Sequence, residues 1–193
     1  MSNSLNSTID ALAKDRYPDL SDEGKAILMN NIEQKSAYKG EVILNEGEVA
    51  SDIIFVEKGM LRQFYYKNKK DITEHFSYEN SIVMCIESFL KQEPTKLLIE
   101  ALEPSTYYTL SHARLMSLVE IYPEINRFYR GVLEYSLIVS QKKADSWRFE
   151  SAKERYSRLW NEHPEIVRRA SLSHIASYLL MTPETLSRVR ANL

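Results

Sequence analysis

The spacing of hydrophobic and polar positions changes period twice along the chain. Near the start, residues 5–12 and 21–32 place apolar side chains at helical steps, which predicts two helices, the second opened by Ser21 with Asp22 and Glu23 in its first turn. Between residues 36 and 111 the runs VILNEG, DIIFVEKG, LRQFYY, DITEHF, SIVMCI, KLLIEAL and TYYTLS are short, β-branched or aromatic, and separated by Gly, Asn, Lys or Asp. Closely spaced strands of this kind predict a small barrel or sandwich, with Gly40, Gly47 and Gly59 at turns that need positive φ. The helical period then returns. Pro123 opens the longest such stretch, to about residue 146, where Ile125, Phe128, Val132, Tyr135 and Val139 form one apolar stripe and Tyr129, Leu133 and Leu137 a second. Two stripes predict a helix held between its own barrel and a twin chain, with the first stripe as the seam between twins and the second on the barrel; packing of the first stripe on its own barrel is the plainer alternative.

Beyond that helix, Ser151-Ala152-Lys153-Glu154 has capping-box spacing and opens a helix with Tyr156, Leu159 and Trp160 on its apolar face. His163-Pro164 ends it, and Ile166-Val167 are expected to cross as a short strand or loop. Ser171 is a candidate N-cap for a short helix whose buried face is Ile175, Ala176, Leu179 and Leu180. Thr182-Pro183 is a second start signal, because the hydroxyl can accept from a free amide and proline at the first position gives up no needed donor. In this second helix Leu186 and Val189 face inward, leaving Pro183, Glu184, Thr185, Ser187, Arg188 and Arg190 outside. Two short helices across a tight turn, the second with an exposed Ser/Thr/Arg face, have the form of a helix-turn-helix; a hairpin that merely packs is the plainer alternative.

Residue-level likeness sharpens this. IASYLLMTPETLSRVR resembles the helix-turn-helix of the cyclic-AMP receptor and fumarate-nitrate regulator (Crp/Fnr) family, which reads I-A-x-x-L-G-x-T-x-E-T-x-S-R. The family's turn glycine is Leu180 here, so the turn is expected either to be built differently or to let the first helix run on by a residue. KGEVILNEGEVASDIIFVEKGMLRQFY resembles the first half of a cyclic nucleotide-binding domain, with Lys39-Gly40-Glu41, Glu46-Gly47 and Glu57-Lys58-Gly59 at that family's turns. The resemblance implies an α+β chain: an N-terminal jelly-roll barrel, or double-stranded β-helix, over residues 1–120, a long dimerisation helix over 121–147, and an all-α winged-helix-type helix-turn-helix over 148–193, hinged near 146–151.

In nucleotide-binding relatives a G-E pair meets the ribose and an Arg-Ser or Arg-Thr pair meets the phosphate. Here Glu87 matches the carboxylate, but Ile86 replaces the glycine and Thr95-Lys96-Leu97 stands where the arginine pair belongs. Lysine is a point charge without the fork geometry, and Glu93 and Glu100 add to the cost of an anion. Glu87, Ser88, Thr95 and Lys96 are therefore the candidate pocket residues, with a cyclic nucleotide disfavoured as cofactor and an empty, altered or differently liganded pocket favoured.

Composition bounds these readings. The 193 residues are 44% hydrophobic, with no apolar run long enough for a membrane span and no secretion signal at the start, so a cytoplasmic protein is expected. Cys85 is the only cysteine, which leaves neither an internal disulfide nor a cysteine-held iron-sulfur cluster. The net charge of −2 is polarised: residues 142–193 hold ten Lys or Arg against six Asp or Glu, net +4, leaving −6 on the rest. A basic end carrying a helix-turn-helix suits phosphate contact, with Arg168 and Arg169 as further candidates and a solvated helix face as the alternative for Arg155, Arg158, Arg168 and Arg169.

Barrels of this type also host metal enzymes of the cupin kind, which need clustered ligands. His75, His112, His163 and His174 are isolated, and no G-x-S-x-G elbow or Walker loop occurs, so neither catalysis nor a metal is expected. The expected function is a dimeric regulator of transcription on a near-palindromic double-stranded DNA site. Carrying over the family's E-T-x-S-R positions, Glu184 would accept from cytosine N4 and Arg188 would grip guanine O6 and N7. Pro183 would meet a thymine methyl, while Thr182, Thr185, Ser187 and Arg190 would meet phosphate. Alternatives are control by a cyclic nucleotide or other small effector, a ligand-free regulator whose abundance alone sets occupancy, and a barrel that binds a protein partner.

Overall fold

A computed structural model describes residues 3–192, with side chains from Ser7 onward; Leu193 and the side chain of Leu5 lie outside the described residues. Helix α1 (Asn3–Arg16) buries Ile9, Leu12 and Ala13. Ser21 caps α2 (Asp22–Met29) by accepting from the Gly24 amide at 3.0 Å, and its own hydroxyl donates to Glu124 at 2.7 Å. That contact ties the first helices to the long one.

Eight strands follow: β1 (Glu33–Ala37), β2 (Val42–Leu44), β3 (Asp52–Lys58), β4 (Leu61–Lys67), β5 (Lys70–Ser77), β6 (Ile82–Val83), β7 (Leu98–Ala101) and β8 (Ser105–Ser111), with α3 (Ile86–Lys91) between β6 and β7. They form two four-stranded antiparallel sheets, ordered β1-β8-β3-β6 and β2-β7-β4-β5, the jelly roll that the motifs imply. Strand β3 is buried on both faces: Ile54 and Val56 fill the barrel interior, while Ile53 and Phe55 face a second core built with the helices. Gly59 turns β3 into β4 at φ +101°, and a Cβ there would strike the backbone of Ser105.

The second core is completed by α4 (His112–Ile121) and α5 (Pro123–Phe149). Then come α6 (Ala152–Glu162), α7 (Pro164–Arg169), α8 (Leu172–Tyr178) and α9 (Pro183–Ala191). The Ser151 capping box forms, with the Glu154 carboxylate accepting from the Ser151 amide at 2.7 Å. Among the described residues no helix is long and apolar enough to cross a membrane.

Expectations change in several places, and Leu180 and Trp160, expected on buried faces, are exposed at 50% and 53%. Strand β1, EQKSA, carries almost no apolar signal because four of its five side chains are exposed; its pairing to β8 creates it. SIVMCI is a strand only at Ile82–Val83, and Ile86 already begins α3, since a short buried apolar run does not distinguish strand from helix. Ile166 and Val167 lie in helix α7 rather than in a strand or loop; Pro164 at its start, Glu165 in its first turn and Arg168 and Arg169 in its last all suit a helix. Finally, the stripes on α5 do not divide as expected: Ile125, Phe128 and Val132 of the first are buried in the chain's own core, Tyr129 and Leu133 of the second lean on that same core, and Tyr135, Leu137 and Ile138 are exposed, Leu137 most, at 70%.

Candidate nucleic-acid interface

The last two helices are held by local chemistry before they are held by packing. Ser171 caps α8 by accepting from the His174 amide at 3.2 Å. The helix closes with a Schellman arrangement: the Met181 amide donates to Ala176 at 3.0 Å and the Leu180 amide to Ser177 at 3.1 Å. Leu180 itself takes the left-handed conformation, φ +51°, half exposed, so the family's turn is kept with a leucine in the glycine position and α8 does not run on. Arg155 braces this end by donating to the Leu179 carbonyl at 2.9 Å.

Thr182 then caps α9, accepting from the Thr185 amide at 3.2 Å, with Pro183 in the first turn. Leu186 is fully buried among Tyr156, Leu159, Ile175 and Leu179, and Val189 is half-buried. That anchoring turns the opposite face outward. Pro183, Glu184, Ser187, Arg188 and Arg190 are exposed, and Thr185 is half-buried. The Glu184 carboxyl is held below its usual range by its own amide at the helix start, by the Thr182 hydroxyl and by nearby Arg188, so it is an acceptor at neutral pH. The face therefore carries a carboxylate and a guanidinium one turn apart. Thr182 is exposed, but its hydroxyl is engaged in the cap.

What no local pattern signals is how this unit meets the barrel. Ser177 Oγ accepts from the Thr73 amide at 2.8 Å and donates to the Asp71 carbonyl at 3.0 Å, completing the open edge of β5, the last strand of its sheet. Tyr178 meets Phe76 edge to face at 5.4 Å between ring centres. Next to this seam the buried Arg62 forks onto Asp71 at 2.6 and 2.7 Å and reaches Glu100 at 2.6 Å. Burial and then Arg62 push the His174 imidazole down, and its Nδ1 is buried without a hydrogen-bond partner. The barrel thus grips α8 and leaves α9 outside.

The same seam absorbs basic residues. Arg169 forks onto Glu79 at 2.7 and 3.0 Å and reaches Glu103 at 2.6 Å, contacts that raise its pKa, so it is a structural cation in this arrangement and not a free phosphate ligand. Arg158 pairs with Glu150 at 3.1 Å and Lys143 with Glu74 at 2.8 Å, and Arg155 serves backbone carbonyls. Neither Arg155 nor Arg158 is simply a solvated face. Arg168 is exposed and pairs with Glu165 at 2.9 Å.

The candidate pocket residues do not converge. Glu87 points to solvent, 82% exposed, and pairs with Lys91 at 2.7 Å, which lowers its pKa. Ser88 is buried, accepting from the Ala50 amide at 2.9 Å and donating to the Glu93 carbonyl. Thr95 is buried and accepts from the Leu97 amide at 3.0 Å, and Lys96 is exposed. Two hydroxyls build the loop and two charges leave it. Among the described residues no three His, Cys, Asp or Glu side chains gather as a metal-ligand set.

Comparisons with known proteins agree with this architecture. Residues 34–122 match the model of the cyclic nucleotide-binding domain. The fold is similar to FixK2 from Bradyrhizobium japonicum, with a TM-score of 0.69, 20% identity and 84% of each chain covered. It is also similar to the c-di-GMP responsive global regulator CLP of Xanthomonas campestris, with a TM-score of 0.68, 14% identity and coverage of 86% of this chain and 88% of that one. The Thermus thermophilus catabolite activator protein aligns at a TM-score of 0.60 and 17% identity, over 95% of this chain and 86% of that one. No curated protein matches the chain by sequence.

Proposed function

With residues 34–122 in the cyclic nucleotide-binding domain family and the chain as a whole in the fold of the Crp/Fnr regulators, we propose that it is a transcriptional regulator that binds DNA through α9 as a homodimer. One observation carries this reading: buried Leu186 and the docking of α8 on β5 together hold the polar face of α9 away from the rest of the molecule. The dimer reading is supported by α5, where Leu133, Leu137, Ser140 and Ala144 repeat at heptad spacing around the exposed Leu137 and Ile138. Twin recognition helices then read half-sites about one turn, roughly 10 base pairs, apart.

Arg188 reads guanine and Glu184 cytosine, each contributing on the order of 1–3 kcal/mol of discrimination. Pro183 lies against a thymine methyl, and Thr185, Ser187 and Arg190 hold phosphate, with Thr182 helping chiefly through the cap it forms. The test is selection of a site from random duplexes, followed by binding of that site and a scrambled one over a range of salt. Arg188→Ala should relax sequence preference, whereas Arg190→Ala should weaken both duplexes and flatten the salt slope by about one unit. Equal losses on both duplexes for Arg188→Ala would remove its base-reading role.

The barrel is a sensor of something other than a cyclic nucleotide. The exposure of Glu87 and the internal use of Ser88 and Thr95 favour this. Titration with cyclic AMP and cyclic GMP should give no heat; saturable binding to either would restore the nucleotide reading.

A further inference from the structure

A cavity of about 210 Å³ lies where the barrel, the long helix and the carboxyl-terminal helices meet, and none of Glu87, Ser88, Thr95 and Lys96 is in its wall. Its apolar side includes Met84, Ile86 at the start of α3 and Val139 from α5; its far side is His163 between α6 and α7, Ile166 of α7 and Tyr178 of α8. The wall contains one arginine, Arg16, and no Asp or Glu. Both histidines of the wall are neutral at physiological pH: burial, and then Lys143, push His75 down to about 4, and burial lowers His163.

Arg16 ends α1, and its carbonyl packs so closely on α5 that a Cβ at Gly131 would collide with it, so the side chain starts from a fixed point. Its guanidinium lies 4.6 Å over the ring of Tyr135 and donates to the Leu12 carbonyl at 3.2 Å. No ion pair to Arg16 occurs among the described residues; Asp15, its neighbour in sequence, acts only at a distance. A guanidinium has five donors, and among the described residues this largely desolvated one uses one of them. Such a charge favours an anion that supplies the missing acceptors.

We infer that this cavity is an effector site for a small organic acid, its carboxylate on Arg16 and its apolar body against Met84, Ile86 and Val139. The cavity is smaller than the roughly 300–1,000 Å³ of sites that take drug-sized ligands, so the acid is compact. Because α5, α7 and α8 all contribute wall, an acid that fits one arrangement of these helices better than another biases the seam that grips α8. This regulatory part rests on the DNA-binding reading; the binding site itself does not.

The experiment uses the full chain and isothermal titration with benzoate, phenylacetate and hexanoate, each beside its uncharged amide. At least one acid should bind tenfold or more tightly than its amide, and Arg16→Gln should bring that acid down to the amide's level. Val139→Phe, which fills the cavity without touching Arg16, should abolish acid binding and covers the case in which Arg16→Gln does not fold. Absence of binding by all three acids, amides that bind as well as acids, or an acid affinity indifferent to Val139→Phe would each overturn the site. An acid that binds at Arg16 yet leaves the affinity for the selected duplex unchanged would overturn the effector role alone.

Discussion

The segment of residues 87–96, which is α3 and the turn after it, and helix α9 both present polar side chains at positions to which a family motif points, yet the fold treats them in opposite ways. In the first segment the hydroxyls of Ser88 and Thr95 are buried and bound to the chain's own backbone, and Glu87 turns outward to Lys91. In α9 a buried Leu186 holds the helix from beneath, so that Glu184, Ser187, Arg188 and Arg190 stay exposed, with Glu184 and Arg188 bonded only to groups at the start of the same helix among the described residues. A residue type at a motif position is necessary for recognition but becomes available only where the chain has not already used its hydrogen-bonding capacity. Thr182 shows the rule within α9 itself, since its hydroxyl is occupied by the cap.

Substitutions on the two sides should widen or close this contrast. The largest effect is expected from Leu186→Ala, which removes the support beneath the polar face and should cost about 2–5 kcal/mol in urea unfolding, with loss of DNA binding. A cost well under 1 kcal/mol would mean that the outward face has another anchor. Next, Ser88→Ala leaves the buried Ala50 amide without its acceptor and should cost about 1–3 kcal/mol, whereas Glu87→Gln should leave the unfolding midpoint where it was. If Glu87→Gln were the more damaging change, the segment would hold a use for that carboxylate that solvent exposure hides. The smallest effect has the opposite sign: Leu180→Gly relieves the left-handed leucine of the turn and should add about 1 kcal/mol of stability without altering DNA affinity. A drop in melting temperature would show that packing of the leucine outweighs its backbone strain.

Much of this was legible in the chain. Alternating and helical periods located the strands of the barrel and the helices around it, and the caps at Ser21, Ser151, Ser171 and Thr182 are local chemistry that sequence spacing exposes directly. The motif face of α9 was legible for the same reason, because one buried leucine and one half-buried valine set its rotation. The misses share a cause as well. β1 exists because β8 pairs with it, and α7 follows a proline that serves both as the end of one helix and the start of the next. Two apolar stripes on α5 gave no means of telling which side would meet the barrel.

The order of residues alone determined where the chain turns, caps and alternates, because those features depend on neighbours within a few positions. Only the tertiary structure decided which charges are free. Arg62, Arg158 and Arg169 differ little from Arg188 and Arg190 in sequence, yet the first three find carboxylates brought close by the fold, whereas no ion pair forms to the other two among the described residues. The reason is that a carboxylate distant along the chain neutralises a guanidinium only when packing closes the distance between them, and that closure is a property of the assembled sheets and helices, not of any segment.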